Sequence, residues 1–220
     1  MGEPRRTTRT SDRSVDRGAD RKGERSGGSA SDRRNRLDEA WELMHFALRA
    51  VIAVPDRMLE LGQIAAYLHD IGNVINRVNH PLHGANIAFT LLNEMGMDCG
   101  EIVPILGAIG NHEELTGMPI GIMSAALIIA DKSDVHFSRV QNPLMETFDI
   151  HDRVNNAVQR SRVEIRDDGR RIELVLEIDT KQASVMEYFE IFLSRMVMCR
   201  RSAQLLGYRF ALSVNGTNLE

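Results

Sequence analysis

The chain has 220 residues, a length that fits one sizeable domain or one domain with a small appendage. Its 43% hydrophobic and 26% charged residues are ordinary for a globular protein, and no apolar run reaches the roughly 18 residues of a membrane span. The two cysteines, Cys99 and Cys199, form neither a disulfide framework nor a CxxC metal motif. We therefore expect a cytoplasmic protein that does not insert in a membrane.

The net charge of −4 is unevenly distributed along the chain. Residues 1–36 hold 11 Lys and Arg against 6 Asp and Glu, so the remaining residues hold 16 against 25 and carry −9. This acidic body makes a nucleic-acid partner unlikely for the main domain. Residues 1–36 lack Leu, Ile and Phe, and we predict a disordered tail rich in Arg, Ser and Gly. Three interpretations of this tail are open: a dispensable extension, a misplaced start of the reading frame, or a basic arm that binds RNA or acidic partners.

From residue 37 the apolar residues recur at the spacing of helices. Proline and glycine positions separate the segments, as they do at helix starts and stops. The predicted helices fall within residues 37–54, 55–72, 84–96, 98–115, 121–139 and 150–161. Five or six helices with short connections predict a compact, mainly α domain over residues 37–160.

The periodicity changes after residue 160. Residues 162–179 alternate apolar and polar side chains around Asp168-Gly169, which is a hairpin signal. Residues 184–207 form an amphipathic helix pattern, and residues 208–214 alternate again as a last strand. We predict a small C-terminal α+β region, 161–220, with about three strands and one helix. Its last strand, as an edge strand, can pair across a two-fold axis, so a homodimer is expected.

Five residues of metal-binding type stand at comparable places in the helical region. His69 and Asp70 end one apolar helix, His80 begins the next, and His112 and Asp131 each follow another apolar stretch. Buried Asp and His side chains are costly unless they are paired or bind a metal. If the helix ends converge, three imidazoles and two carboxylates meet at one pole of the bundle. Mixed nitrogen and oxygen ligands suit Mn, Fe, Co, Ni or Mg.

These residues occur in motifs that carry a resemblance. "LHDIGN" followed by "ADKSD" resembles the HD superfamily of metal-dependent phosphohydrolases. The intervening "HPLHGA" and "GNHEELTGMP" are similar to the extra histidine motifs of its two-metal branches, the HD-GYP phosphodiesterases and the diadenosine tetraphosphate hydrolases. Residues 55–160 fit the helical HD domain, and the C-terminal region resembles that of a bacterial subfamily of HD-domain proteins.

The resemblance implies a role for each metal-type residue. His69 and Asp70 would be the doublet that names the superfamily, and Asp70 would bridge two ions where two are present. His80 and His112 would bind the second ion, while Asp131 would complete the first. The implied cofactor is a divalent metal, one or two ions of Mn, Fe, Mg, Ni or Co.

Other positions follow or depart from the family pattern. Lys132 follows it and would contact a substrate phosphate, acting with Asp70 in catalysis. Asn111 replaces a further histidine, which argues against a third ion, and "TGMP" replaces the Gly-Tyr-Pro context, which argues against cyclic dinucleotides. The family supplies another metal histidine from an upstream helix. The only upstream histidine is His45, 24 residues before His69, so either His45 substitutes or this ligand is missing.

The resemblance implies hydrolysis of a phosphoester or phosphoanhydride in a small, nucleotide-like substrate through metal-activated water. The alternative is a catalytically impaired HD domain that acts as a nucleotide-binding or scaffold protein, because the first family histidine is not clearly present.

Overall fold

The computed structural model describes residues 54–140, 142, 144–166 and 170–219. The predicted tail, the helix predicted over residues 37–54, His45 and the Asp168-Gly169 turn lie outside the described residues. Where the chain is described, it is mostly helical and ends in a small four-stranded sheet. The helices are α1 (Asp56–Leu68), α2 (His80–Glu94), α3 (Cys99–Gly110), α4 (Ile122–Ser133), α5 (Ile150–Ala157) and α6 (Val185–Leu205). The strands are β1 (Val158–Arg166), β2 (Arg171–Ile178), β3 (Arg209–Val214) and β4 (Thr217–Leu219).

Local sequence signals account for several of these boundaries. Asp98 caps α3 by accepting a hydrogen bond from the Gly100 backbone N–H at 2.8 Å. Ser184 and Glu187 form a reciprocal capping box at the start of α6, with bonds of 3.2 and 2.8 Å. Gly207 has a φ of 80°, a left-handed conformation that glycine adopts without strain, and it ends the run of α6.

Helices α1 to α4 share one hydrophobic core. Contacts join α1 to α3 and α4, and α3 to α2 and α4. Helix α4 is the most enclosed, since ten of its twelve residues are buried. The fully buried members of this core include Ala65, Ala88, Ile105, Ile109 and Leu127. The burial of these side chains fixes the relative positions of the helix ends that carry the candidate ligands.

The sheet has the strand order β1-β2-β3-β4. Strands β1 and β2 pair antiparallel, β2 and β3 pair parallel with α6 as the crossover, and β3 and β4 pair antiparallel. Its inner face packs on α6 through Leu174, Leu176 and Leu212, against Tyr188 and Phe192. A second cluster joins the sheet region to the helical region, because Ala125 and Ile129 of α4 contact the buried residues Ile172, Ala203, Leu206 and Tyr208.

Two details of the predicted C-terminal region are wrong. The sheet has four strands where three were predicted, because Thr217–Leu219 forms a three-residue strand too short to show alternation. Residues 158–161 were predicted as helix but belong to β1, where Val158 pairs with Ile178 and Ser161 with Leu176. Tertiary pairing overrides the local helical pattern there.

The expectation that the strand over residues 208–214 is an edge strand is also wrong. Strand β3 lies between β2 and β4, so its backbone is paired on both sides. The edge strands of this sheet are β1 and β4. Pairing of β3 across a two-fold axis is therefore excluded as a route to a dimer.

Candidate metal centre

The His69-Asp70 doublet is placed by a tight turn after α1. His69 is the residue after the last helical position, and Asp70 precedes a 3-10 turn over Ile71–Val74. A Cβ at Gly72 would overlap the carbonyl oxygen of His80 and come close to the amide nitrogen of Gly84. Only glycine lets this turn press against the start of α2, which brings His80 beside Asp70.

The other two imidazoles enter the site from the ends of α2 and α3. His80 is the first residue of α2 and His112 comes two residues after α3; they are 2% and 1% exposed. The loop after His112 doubles back tightly, because a Cβ at Gly117 would overlap the carbonyl oxygen of Asn111. Both histidines are therefore held by backbone packing as well as by their own contacts.

The five predicted ligands converge on one point. Asp70 Oδ1 lies 3.2 Å from His80 Nε2 and 3.6 Å from His112 Nε2. His69 Nε2 lies 3.7 Å from Asp70 Oδ2 and 3.6 Å from Asp131 Oδ1. His80 Nε2 and His112 Nε2 are 3.1 Å apart. The helix ends thus bring three imidazoles and two carboxylates together, and three of these residues, His69, Asp70 and His112, form a group that could hold a metal ion.

Backbone hydrogen bonds define the orientation of all three rings. His69 Nδ1 lies 2.7 Å from the Ala66 carbonyl, and the equivalent distances are 3.0 Å for His80 and 2.6 Å for His112, to Arg77 and Ile109. Because a carbonyl only accepts, each Nδ1 carries the proton and donates. The Nε2 atoms of all three rings then face the shared site. Metal-binding histidines commonly hold their second nitrogen in this way.

This arrangement supplies a test of fit for a cation. Two Nε2 lone pairs 3.1 Å apart repel each other unless a proton or a metal ion lies between them. Burial lowers the pKa of His80, which disfavours a second proton, on Nε2, in addition to the one on Nδ1. The donor set therefore fits a divalent metal ion.

The charges around His69 and the carboxylates favour a cation as well. Burial opposes a charge on His69, but the Asp131 and Asp70 carboxylates outweigh it and raise the pKa of His69 to about 9. Burial likewise raises the pKa of Asp131, yet its contacts with His69 and Lys132 hold that pKa well below the ordinary value. The pKa of Asp70 is also lowered, by His112 and His69 against the effect of burial. Both carboxylates are therefore anionic at neutral pH.

Lys132 is buried beside Asp131 rather than extended into solvent. Its Nζ lies 2.7 Å from Asp131 Oδ2 and 3.3 Å from Glu114 Oε1, and its side chain is 6% exposed. A buried ammonium requires such anionic partners. Lys132 neutralises and orients Asp131, an ion pair that the sequence offered as the alternative to metal binding by Asp131.

Sequence reasoning also missed three residues near the site. Glu113 Oε2 lies 3.5 Å from His80 Nε2, so Glu113 joins His80 and His112 in a second group that can hold a metal ion. Glu114 is its neighbour and contacts Lys132. Arg139 pairs with Asp134 at 2.6 Å, and both the Asp131 and Asp70 carboxylates act on it. The "HEE" sequence was the only signal for the two glutamates, and the sequence offered Arg139 only as an ion-pair partner of Asp131, whereas it pairs with Asp134.

Within the described part of the chain, no helix combines the length and apolar character needed to cross a membrane.

Comparisons with known proteins give one weak relative. No family model matches the chain, and no solved structure matches it significantly. An uncharacterized protein of Methanocaldococcus jannaschii, MJ1020, is 27% identical over 141 residues. The match covers 60% of this chain and 53% of the archaeal protein, so the chain spans about half the length of that relative.

Proposed function

We propose that this protein is a metal-dependent phosphohydrolase of the HD superfamily, with His69, Asp70, His80, His112 and Asp131 as metal ligands. The supporting observation is the convergence of three imidazole Nε2 atoms and two carboxylates. The Nδ1 atom of each imidazole is hydrogen-bonded to a backbone carbonyl. A divalent ion bound there supplies hydroxide near neutral pH and positive charge for phosphate oxygens.

The protein's own residues provide positioning and charge. Asp70 faces all three imidazoles, so it is the ligand best placed to bridge two ions. Lys132 keeps Asp131 oriented through their 2.7 Å contact. Arg139 has a side chain 37% exposed and feels the charges of Asp131 and Asp70, so its guanidinium is a candidate to bind a phosphate oxygen of the substrate.

A nucleotide-like substrate is supported by exposed apolar side chains on the two ligand-bearing loops. Val74 and Val78 follow Asp70 and are 79% and 68% exposed. Leu115 and Met118 follow His112 and are 88% and 56% exposed. Ligand pockets are lined mainly by apolar side chains around a few polar groups, and a nucleotide base would have such side chains to contact on these two loops.

The proposal is tested by metal content and turnover together. We expect purified protein to bind one or two equivalents of Mn²⁺ by calorimetry, and to hydrolyse bis-p-nitrophenyl phosphate or p-nitrophenyl phosphate only when the metal is present. Using both substrates distinguishes diester from monoester hydrolysis. A protein that binds no Mn²⁺, Fe²⁺, Co²⁺, Ni²⁺ or Mg²⁺ contradicts the proposal.

A second candidate function is a nucleotide-binding or scaffold HD domain without catalysis. It is favoured by the contact of Lys132 with Asp131, which already neutralises one of the two carboxylates. This function predicts binding of a nucleotide such as AMP to the metal-free protein with no hydrolysis. Loss of AMP binding on chelation of the metal would argue against it.

A further inference from the structure

A buried series of alternating charges connects the C-terminal helix α6 to the candidate metal centre. Arg195 Nε of α6 lies 2.7 Å from Glu114 Oε1, and the same oxygen lies 3.3 Å from Lys132 Nζ. Lys132 in turn contacts Asp131 Oδ2 at 2.7 Å. The side chains of Glu114, Lys132 and Asp131 are only 10%, 6% and 14% exposed, so the series is shielded from water.

The remote end of this series is held rigidly. The guanidinium carbon of Arg195 lies 4.7 Å from the ring centroid of Phe192, one turn earlier on α6. Phe192 is 1% exposed and packs in the core of the sheet region. Helix α6 also packs along α4, the helix that carries Asp131 and Lys132. The position of Arg195 is therefore set by the C-terminal region, whereas the carboxylate that it contacts, Glu114, belongs to the helical region.

Arg195 decides how Lys132 is shared between two carboxylates. With Arg195 present, Glu114 has two cationic partners, Arg195 at 2.7 Å and Lys132 at 3.3 Å. Without Arg195, Lys132 would be the only cationic partner of Glu114 among the described residues. The ammonium would then move toward Glu114 and away from Asp131, because a buried carboxylate attracts the nearest positive charge strongly.

We infer that Arg195 is a positioning residue of the candidate metal centre, acting through Glu114 and Lys132 on the Asp131 carboxylate. The inference rests on the proposed function only in that a metal binds at Asp70 and Asp131. It assigns to the C-terminal α+β region a part in building the centre.

The experiment measures metal binding directly, by calorimetry with Mn²⁺ and by the visible absorption spectrum of the Co²⁺-loaded protein. Replacing a residue that supports a metal ligand typically costs about 10- to 100-fold in affinity, and we expect about tenfold for Arg195→Met because it acts two contacts away. We also expect its Co²⁺ spectrum to change, which a purely structural loss of stability would not cause. Arg195→Lys, which keeps the positive charge, should recover part of the affinity.

A matched control is an arginine of α5 that also contacts α6. Arg153 of α5 pairs with Glu187 of α6 at 2.8 Å, and the two side chains are 43% and 30% exposed. Arg153→Met removes an arginine contact to α6 that does not lead to the site. It should leave the Mn²⁺ affinity within about twofold of the wild-type value, as expected for an exposed ion pair.

A double-mutant cycle tests the route. Glu114→Gln removes the carboxylate that would draw Lys132 away from Asp131, so the double variant should bind Mn²⁺ more tightly than Arg195→Met alone. A double variant as weak as Arg195→Met would overturn the inference, as would a folded Arg195→Met protein with wild-type affinity and spectrum. If Arg195→Met does not fold, Arg195→Gln takes its place, and wild-type affinity and spectrum in that variant overturn the inference.

The two proposals fail in distinguishable ways. Wild-type protein that binds neither Mn²⁺ nor Co²⁺ would overturn the metal centre and this inference together. Wild-type protein that binds Mn²⁺, with an Asp70→Asn variant that does not, would support the centre. An unchanged Arg195→Met protein would then overturn the role of Arg195 alone.

Discussion

The candidate metal centre and the outer face of the sheet both collect charged side chains, but they balance them differently. On the sheet, arginines pair with glutamates: Arg166 contacts Glu164 and Glu173, and Arg160 lies 3.7 Å from Glu177. At the centre, Asp70 faces imidazoles whose Nδ1 atoms are already bonded to backbone carbonyls. Arginine always carries its charge, so the glutamates of the sheet have cationic partners as soon as the chain folds. The candidate metal centre instead presents imidazole nitrogens and carboxylates that favour a bound cation.

Removing one carboxylate from each region should give the largest difference between the candidate metal centre and the sheet. Asp70→Asn removes the ligand that faces all three imidazoles, and we expect at least about a 100-fold loss of Mn²⁺ affinity with essentially no remaining phosphodiester hydrolysis. Glu177→Gln, on the sheet, should change neither quantity. Calorimetry and turnover of bis-p-nitrophenyl phosphate measure both variants. Equal losses in the two variants would mean that Asp70 has no special role.

The turn that follows the His69-Asp70 doublet should tolerate an added methyl group less well than the turn at Gly121. Gly72→Ala places a Cβ against the His80 carbonyl oxygen, so we expect a loss of about 1–3 kcal/mol in the free energy of unfolding, accompanied by weaker Mn²⁺ binding. Gly121→Ala meets no atom within 4 Å and should cost less than about 1 kcal/mol. Urea denaturation gives both values, and a Gly72→Ala protein as stable as the wild type would show that the turn can move.

Substrate binding should be separable from metal binding at Arg139. Arg139→Met removes the guanidinium proposed to bind the substrate phosphate, and we expect KM for a phosphate ester to rise about tenfold, since a hydrogen bond to a charged group contributes about 1.5–3 kcal/mol. Mn²⁺ affinity should remain close to the wild-type value. Steady-state kinetics with saturating Mn²⁺ measures the effect. A fall in metal affinity with unchanged KM would assign Arg139 to the centre instead.

The two cysteines should differ in their reactivity toward a thiol reagent, because one is exposed and the other is buried. Burial raises the pKa of Cys199 to about 12, whereas Cys99 is exposed at the start of α3. At pH 8 the Cys199 sulfur is therefore a protonated thiol, and its thiolate forms only as the pH rises toward 12. A thiol reagent should modify one cysteine in the native protein and two after denaturation. Rapid modification of both in the native state would contradict this prediction.

The sequence predicted the convergence of the candidate ligands better than it predicted their surroundings. His69, Asp70 and Asp131 follow long apolar stretches, and helix ends of one bundle meet, so their convergence could be expected from the pattern. The partner of Lys132 could not, because Glu114 belongs to a loop whose course depends on the contact of Gly117 with Asn111.

The same distinction holds for the fold. The bounds of α1 and α6 follow from Pro55 and from the capping box at Ser184, which are local signals. Strand order in the sheet depends on which backbone hydrogen bonds form between distant segments, and nothing in residues 208–214 indicates that β4 will cover their second edge. Local chemistry sets where elements begin, and tertiary pairing sets what lies beside them.

The near-complete enclosure of α4 has a kinetic consequence. A helix with ten of its twelve residues buried can exchange its amide hydrogens only when much of the domain opens. Asp131 sits in the last turn of that helix, so its carboxylate is anchored in what should be the slowest-exchanging segment of the described residues.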